Sequence, residues 1–172
     1  MSNEYTFKDY DKYLCLKPPV EFWLVVMFFL RPFLLKISTF QMGIGAKSDS
    51  VSELYDLAYP ENFGFFLAVV STVPVILLLI SFGKRNPGAS DLMRKIWRNG
   101  LKLLMVTAIL NILVIFIPTI LGKIHTVHLY GWIQLGIVIL IIGYLYKSQR
   151  LRDAFADFPA EIKDEKDRAK KV

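Results

Sequence analysis

The feature that most constrains this chain is a stretch of twenty residues without a charged side chain, at 63–82. An α-helix rises about 1.5 Å per residue, so twenty residues cover the ~30 Å hydrocarbon core of a bilayer. Two further uncharged stretches, at 103–121 and 127–146, are separated by five residues and predict an antiparallel hairpin. Apolar residues make up 54% of the 172 residues, above the about 45–50% of soluble domains. The chain is therefore expected to be an all-α integral membrane protein.

A fourth apolar segment, 18–37, is interrupted by Glu21 and Arg31. We interpret it as a transmembrane helix, because Pro18 and Pro19 suit a helix start and the positions between the charges are apolar. The alternative is a re-entrant or interfacial segment. The predicted organisation is a cytoplasmic N-terminal segment (1–17), a four-helix membrane domain (18–146; spans at about 18–37, 63–82, 103–121 and 127–146) and a charged cytoplasmic tail (147–172).

The basic residues predict the orientation of the spans, because cytoplasmic loops of membrane proteins carry excess Lys and Arg. The N-terminal segment, the loop after the second span and the tail together hold 17 of the 21 basic residues. The opposite side holds three, and Arg31 lies inside a span. This distribution predicts four spans with both termini in the cytoplasm. It also accounts for the net charge of +6, so anionic lipids are the expected partners and nucleic acid is not.

Two loops contain patterns of short amphipathic helices. On the outer side, Ser50 to Glu53 form a capping-box pattern, and Pro60 ends the apolar spacing that follows. On the inner side, Ser90 can cap a helix at 91–99 whose apolar face would rest on the membrane. The basic face of this inner helix is predicted to bind lipid head groups through Arg94, Lys95 and Arg98.

The tail from Asp153 onward mixes charges of both signs and contains few apolar residues. Such a composition buries little apolar surface. We expect a solvated, frayed end.

Arg31 is the strongest candidate for a functional residue, because a charge inside a membrane is costly. It lies about 9 Å inside the predicted outer boundary at helical rise. Three interpretations are open: the side chain reaches back to the outer head groups, it organises a network of hydrogen bonds, or it binds a ligand or ion.

Every other predicted span also carries a polar side chain about 10–15 Å below the outer surface. The resulting polar intramembrane cluster consists of Arg31, Ser71, Thr72, Asn111 and Gln134. One interpretation is that these groups hold the helices together through hydrogen bonds. The other is a small polar cavity that opens to the outside.

Glu21 lies one turn into the first predicted span, four residues after Lys17. This spacing would place both on one helical face as an interfacial ion pair. The alternative is a carboxylate that couples transport to protons, as in four-span multidrug exporters.

His125 and His128 are three residues apart in the outer turn, where they either belong to an aromatic belt or contribute to a metal site. We favour the belt and expect no metal and no cofactor. Cys15 is the only cysteine, which excludes an intramolecular disulfide. No nucleotide-binding loop, catalytic triad or haem motif occurs in the chain, so no enzymatic activity is indicated.

The N-terminal motif and the second loop carry a resemblance to a known family. The residues are Asp9-Tyr10-Asp11-Lys12-Tyr13, Leu16-Lys17-Pro18-Pro19, Phe22-Trp23-Leu24, Phe29-Leu30-Arg31-Pro32 and Leu57-Ala58-Tyr59-Pro60, with Pro74 in the next span. Together they resemble the small proteobacterial inner-membrane proteins grouped as domain of unknown function 2919, over residues 5–150. The resemblance implies a Gram-negative inner membrane and four helices, and it supplies no catalytic residues. Leu14-Cys15 departs from the pattern, in which a Gly is expected near this point.

Three functions remain as hypotheses. The first is an accessory, assembly or scaffold component of a membrane complex, which fits the small size and the missing catalytic motifs. The second is a small transporter or channel that uses the cluster around Arg31, and it requires a homo-oligomer. The third, an enzyme acting on lipid or quinone, is supported only by the basic inner surface.

Overall fold

The computed structural model of the protein describes residues 5–42, 53, 55–56, 58–59, 62–122, 127 and 129–159, without the side chains of 40–42. Within these residues the secondary structure is helical, apart from a short bridge between Tyr10 and Leu16. The helices are α1 (Val20–Phe29), α2 (Arg31–Met42), α3 (Asn62–Ser71), α4 (Val73–Gly83), α5 (Asp91–Arg98), α6 (Gly100–Ile120), α7 (Leu129–Lys147) and α8 (Gln149–Ala156).

Three helical segments are long and apolar enough to cross a membrane, among the described residues. They are Asn62–Gly83, which joins α3 and α4, together with α6 and α7. This confirms the prediction of an all-helical chain suited to a membrane. The segment predicted as the first span is divided into α1, of 10 residues, and α2, of 12 residues. The fourth span and the orientation therefore remain predictions.

The break between α1 and α2 follows from Pro32. Proline has no backbone N–H, so the carbonyl of Phe28 loses the donor that an uninterrupted helix would supply four residues later. Leu30 separates the two helices, and its N–H still bonds to the carbonyl of Val26 at 2.9 Å. Phe28 O instead receives the guanidinium of Arg31 at 3.2 Å.

The same effect divides the second span at Thr72, two residues before Pro74. The N–H of Thr72 bonds to Val69 O at 3.1 Å, in the tighter pattern of a 3-10 turn. The hydroxyl of Ser71 donates to Ala68 O at 2.7 Å. Side-chain hydroxyls thus satisfy carbonyls near a proline kink, as membrane helices require.

The hydrophobic core fills the space between the helices and is closed at one end of the bundle by α5 and α8. Its fully buried large side chains come from α1, α4, α5, α6, α7 and α8: Phe22, Phe29, Leu78, Trp97, Leu104, Leu145 and Leu151. We call this end the terminal cap and define it as residues 5–17, 84–99 and 149–159.

One expectation about the tail was wrong. Helix α8 packs into the protein, and Ala154 and Phe155 are buried, although both lie beyond the point where a solvated end was expected. Phe155 contacts Trp97 edge-on, with 5.0 Å between ring centroids. Half of the residues of α8 are polar, and the three buried ones are apolar: Leu151, Ala154 and Phe155. Residues 160–172 lie outside the described part, and the domain boundaries stay a prediction.

The helix predicted at 91–99 forms as α5, and its interfacial, amphipathic role stays a prediction. Ser90 occupies the N-cap position, but its side chain makes no capping hydrogen bond. Trp97 is fully buried against the protein, whereas Leu92 is exposed. In the outer loop, the described residues Glu53, Tyr55, Asp56 and Ala58 are helical. The capping-box residues 50–52 and position 60 lie outside the described residues.

Candidate functional site

The polar cluster inside the bundle is organised by Arg31. Its Nη1 donates to Phe28 O, and its guanidinium carbon lies 4.3 Å from the centroid of the Phe28 ring. The side chain therefore folds back over α1 and supplies a donor at the proline break. A guanidinium suits this position because it presents several donors in one plane.

The second contact of Arg31 joins it to α6. Nη2 donates to Oδ1 of Asn111 at 3.0 Å. The amide nitrogen of Asn111 donates in turn to Ser71 Oγ at 3.3 Å and to Thr107 O at 3.1 Å. One chain of hydrogen bonds thus connects α2, α6 and α3, and Asn111 and Ser71 are both buried.

The other two members of the predicted cluster are buried but not joined to this chain. The Thr72 hydroxyl donates to Val69 O at 2.7 Å, within its own span. Gln134 lies on α7, and no hydrogen bond within the described part of the chain links it to Arg31, Asn111 or Ser71. Hydrogen bonds thus join Arg31, Asn111 and Ser71 and leave Thr72 and Gln134 apart, and the common depth of the five residues stays a prediction.

Two buried polar atoms beside the cluster have no hydrogen-bond partner among the described residues. They are Nε of Arg31 and the hydroxyl of Tyr59. Burial raises the pKa of Tyr59 to about 12, and the nearby Arg31 partly opposes this. Tyr59 is therefore a neutral donor, so a positive charge and two donors share one buried location.

At the terminal cap, Arg85 connects three separate segments. Its guanidinium donates to Leu16 O at 3.0 Å and to Asp157 O at 2.8 Å, and Asp11 lies 3.8 Å away. The guanidinium also stacks over Trp97, whose Nε1 donates to Ala154 O at 2.9 Å. Arg85 is buried. From the sequence, Arg85 is predicted only as one of the basic residues of a loop.

Three further contacts hold the N-terminal segment against α8 and the residues after it. Tyr5 Oη donates to Asp153 at 2.6 Å, and Leu16 N donates to Asp157 at 2.6 Å. Arg150 pairs with Asp9 at 2.6 Å. A hydrogen bond from the Thr6 backbone, together with Arg150, lowers the pKa of Asp9.

A tight turn closes the N-terminal segment. Oδ1 of Asp11 accepts hydrogen bonds from Tyr13 N at 2.8 Å and Cys15 N at 3.1 Å. Leu14 adopts φ 57°, the left-handed region that glycine occupies without strain. This is the position near which the family resemblance leads one to expect a Gly. Cys15 is buried, and burial raises the pKa of its thiol to about 11.

The predicted lipid-binding residues divide into two kinds. Arg94 uses its three guanidinium nitrogens on the carbonyls of Ala89, Pro159 and Pro87, so it fastens the cap rather than facing lipid. Lys95 and Arg98 are exposed. A head-group role for these two remains a proposal.

Glu21 and Lys17 do not form the expected pair of helical neighbours. Lys17 precedes α1, and its ammonium donates to Lys8 O at 3.1 Å. The described ion pairs are Arg85–Asp11 and Arg150–Asp9. Glu21 is exposed in the first turn of α1.

The two histidines of the outer turn, His125 and His128, lie outside the described residues. Within the described residues, no group of three His, Cys, Asp or Glu side chains has the arrangement of a metal site.

The structure also identifies important residues that the sequence analysis missed. Arg85 and Tyr59 form buried contacts with charged or aromatic groups distant in sequence. Arg85 directly follows an apolar span, and Tyr59 stands in the Leu-Ala-Tyr-Pro motif. The positions of Arg85 near a span and of Tyr59 in the motif are the sequence features that could have identified these two residues.

Comparison with known proteins shows the family. The profile of "Protein of unknown function (DUF2919)" matches residues 5–157. The Escherichia coli (strain K12) protein named "Inner membrane protein YfeZ" is 29% identical over 84 residues. That match covers 49% of this chain and 53% of the relative, so the chain spans about half of the relative's length. No solved structure matches. The family match reaches all three segments of the terminal cap, from Tyr5 to Asp157, and the chain belongs to the DUF2919 family of inner-membrane proteins.

Proposed function

We propose that this protein is a non-catalytic accessory, assembly or scaffold component of an inner-membrane complex. It crosses the membrane four times, with the terminal cap in the cytoplasm. One observation supports this function: Arg85, which is buried, and Arg31 and Arg94, which are half-buried, direct guanidinium donors at the protein itself. Arg31 bonds to Phe28 O and Asn111, Arg85 to Leu16 O and Asp157 O, and Arg94 to loop and C-terminal carbonyls.

Phe7 offers a way to test for a partner. It lies on the terminal cap and is 93% exposed, so its ring has little contact with the rest of the described protein. A photo-crosslinking amino acid at position 7 in intact cells should give a reproducible adduct with one other membrane-complex protein. The same amino acid at the buried position Phe155 is the control and should give none. Crosslinks from position 7 only to a second copy of the chain would reject the accessory function.

The four-span topology has its own test. A reporter that is active only in the cytoplasm should give signal when fused to Val172. One active only outside should give signal at Lys47. The charge distribution of 17 to three supports this arrangement. A silent cytoplasmic reporter at Val172 would contradict it.

The second candidate function is an oligomeric transporter or channel. It is favoured by two donors that have no hydrogen-bond partner among the described residues, Arg31 Nε and Tyr59 Oη, beside one positive charge. Such a set suits a small anion. This function predicts anion flux through proteoliposomes that Tyr59→Phe abolishes without lowering the melting temperature. The accessory function predicts no flux with either protein.

A further inference from the structure

A cleft of about 350 Å³ lies where the N-terminal segment, the start of α1 and α8 meet. Its charged lining contains the basic side chains of Lys8, Lys17 and Arg150 and the carboxylates of Asp9 and Glu21. None of these residues belongs to the cluster around Arg31, and none was assigned to lipid binding by the basic face of α5.

Some charged groups of the cleft have partners within the protein, and others do not among the described residues. Arg150 Nη2 pairs with Asp9 at 2.6 Å; the Arg150 side chain is 40% exposed, whereas its Nε is buried and not open to a ligand. The Lys17 ammonium is held in place by Lys8 O and keeps further donors. Glu21 has no ion-pair partner in the described residues. The cleft therefore offers free donors for an anionic group and a free carboxylate for a cationic group.

An apolar surface begins at the same cleft. Val20 lines the cleft and is 74% exposed, and Leu24 and Met27 continue the stripe along α1 at 65% and 53% exposure. Residues spaced by four and then three lie on one face of a helix. A molecule with its polar part in the cleft could thus lay an acyl chain along α1, which favours a lipid over a free phosphate compound.

We propose that this cleft binds the head group of a phosphoethanolamine lipid. The phosphate contacts Lys8, Lys17 and Arg150, the ammonium contacts Glu21, and the acyl chains follow Val20, Leu24 and Met27. A purely anionic head group satisfies the donors but leaves the Glu21 carboxylate facing a like charge, which is unfavourable. The site should therefore prefer a zwitterionic head group over phosphatidylglycerol.

The test is native mass spectrometry of the full chain in detergent, with equal amounts of phosphatidylethanolamine and phosphatidylglycerol that carry the same acyl chains. The unaltered protein should retain more phosphatidylethanolamine. Glu21→Gln should lower the ratio of the two bound lipids at least about threefold, because it removes the partner of the ammonium. Glu21→Asp keeps the carboxylate and should keep the preference, and Lys17→Gln should reduce binding of both lipids.

Lys84→Gln is the matched control, because Lys84 is an exposed basic residue outside the cleft, and it should leave the ratio unchanged. Glu21 and Lys17 are exposed, so their replacement should leave the fold intact. The melting temperature of each variant is measured to verify this before its bound lipids are compared. Preference for phosphatidylglycerol in the unaltered protein, or an unchanged ratio in Glu21→Gln, would overturn the proposal. Glycerophosphoethanolamine, which lacks acyl chains, should not displace the lipid at equal concentration. Displacement would assign the site to a soluble ligand instead.

Discussion

Nη2 of Arg31 donates a hydrogen bond of 3.0 Å to Oδ1 of Asn111, across 80 residues of sequence. The same guanidinium satisfies Phe28 O at the break that Pro32 introduces. Of the three interpretations open for Arg31, a network of hydrogen bonds fits these contacts best. The charge is placed where a helix break has left an acceptor without its usual donor, so its cost is offset by bonds that only this position offers.

Replacing Leu14 by Gly should stabilise the protein. The φ of 57° costs a residue with a Cβ about 1 kcal/mol or more, and the side chain is 76% exposed, so little packing is lost. Leu14→Gly should therefore raise the free energy of unfolding by about 0.5–1 kcal/mol. Leu92→Gly is the control: Leu92 is exposed on helix α5, where Gly should lower stability. Equal destabilisation in both variants would show that Leu14 is unstrained.

Gly100 should not tolerate a side chain. A Cβ there would lie 2.3 Å from the ring of Phe155, and the backbone of α6 could not approach α8 so closely. Gly100→Ala should cost about 1–3 kcal/mol in thermal or denaturant unfolding. Gly136→Ala is the matched change in α7, where no atom lies within 4 Å, and it should be neutral or stabilising. A neutral Gly100→Ala would contradict the packing of α8.

The helices could be predicted from the sequence, whereas the contacts between distant segments could not. Long apolar stretches predicted the helices of the bundle, because only such stretches match the thickness of a bilayer. Counting residues from the span ends brought Arg31 and Asn111 to one depth. The buried position of Phe155 was missed, because α8 is short, half of its residues are polar, and the contact of Phe155 with Gly100 joins residues distant in sequence. The bonds of Arg94 within the protein could not be predicted, because its acceptors are backbone carbonyls, which have no side-chain signature.

Cys15 should react slowly with alkylating reagents. Burial raises the pKa of the Cys15 thiol from an ordinary 9.0 to about 11, so the thiol is neutral in the folded protein below pH 9. The neutral thiol stabilises the folded state relative to the thiolate. Its contribution to stability is lost as the pH rises from 9 towards 11. The rate with iodoacetamide should rise about tenfold per pH unit up to pH 11, because only the thiolate reacts. In the denatured protein the alkylation rate should stop rising near pH 9. A plateau near pH 9 in the folded protein would contradict the buried site.

Arg85 should hold the terminal cap together. Arg85→Gln removes the side-chain donor of Leu16 O and one of the two donors of Asp157 O, which keeps Trp97 Nε1 at 3.2 Å, at a cost of about 1–3 kcal/mol. Hydrogen exchange should become faster at the amide of Leu16, while the amides of α6 stay protected. Lys84→Gln changes the exposed neighbouring residue, and it should alter neither the stability of the protein nor the hydrogen exchange at Leu16. Unchanged exchange at Leu16 in Arg85→Gln would show that the cap is held by its other contacts.

The most direct test of the central claim, that Arg31 and Asn111 form one structural network, is a double-mutant cycle. Arg31→Lys, Asn111→Leu and the double variant are unfolded in detergent, and the free energies are compared. Lys replaces a planar fork of donors by one compact charge, so Arg31→Lys alone should lower the melting temperature. We predict a coupling of about 0.5–3 kcal/mol between the two positions. Additivity within about 0.3 kcal/mol would contradict the network and leave Arg31 as a charge that merely reaches the head groups.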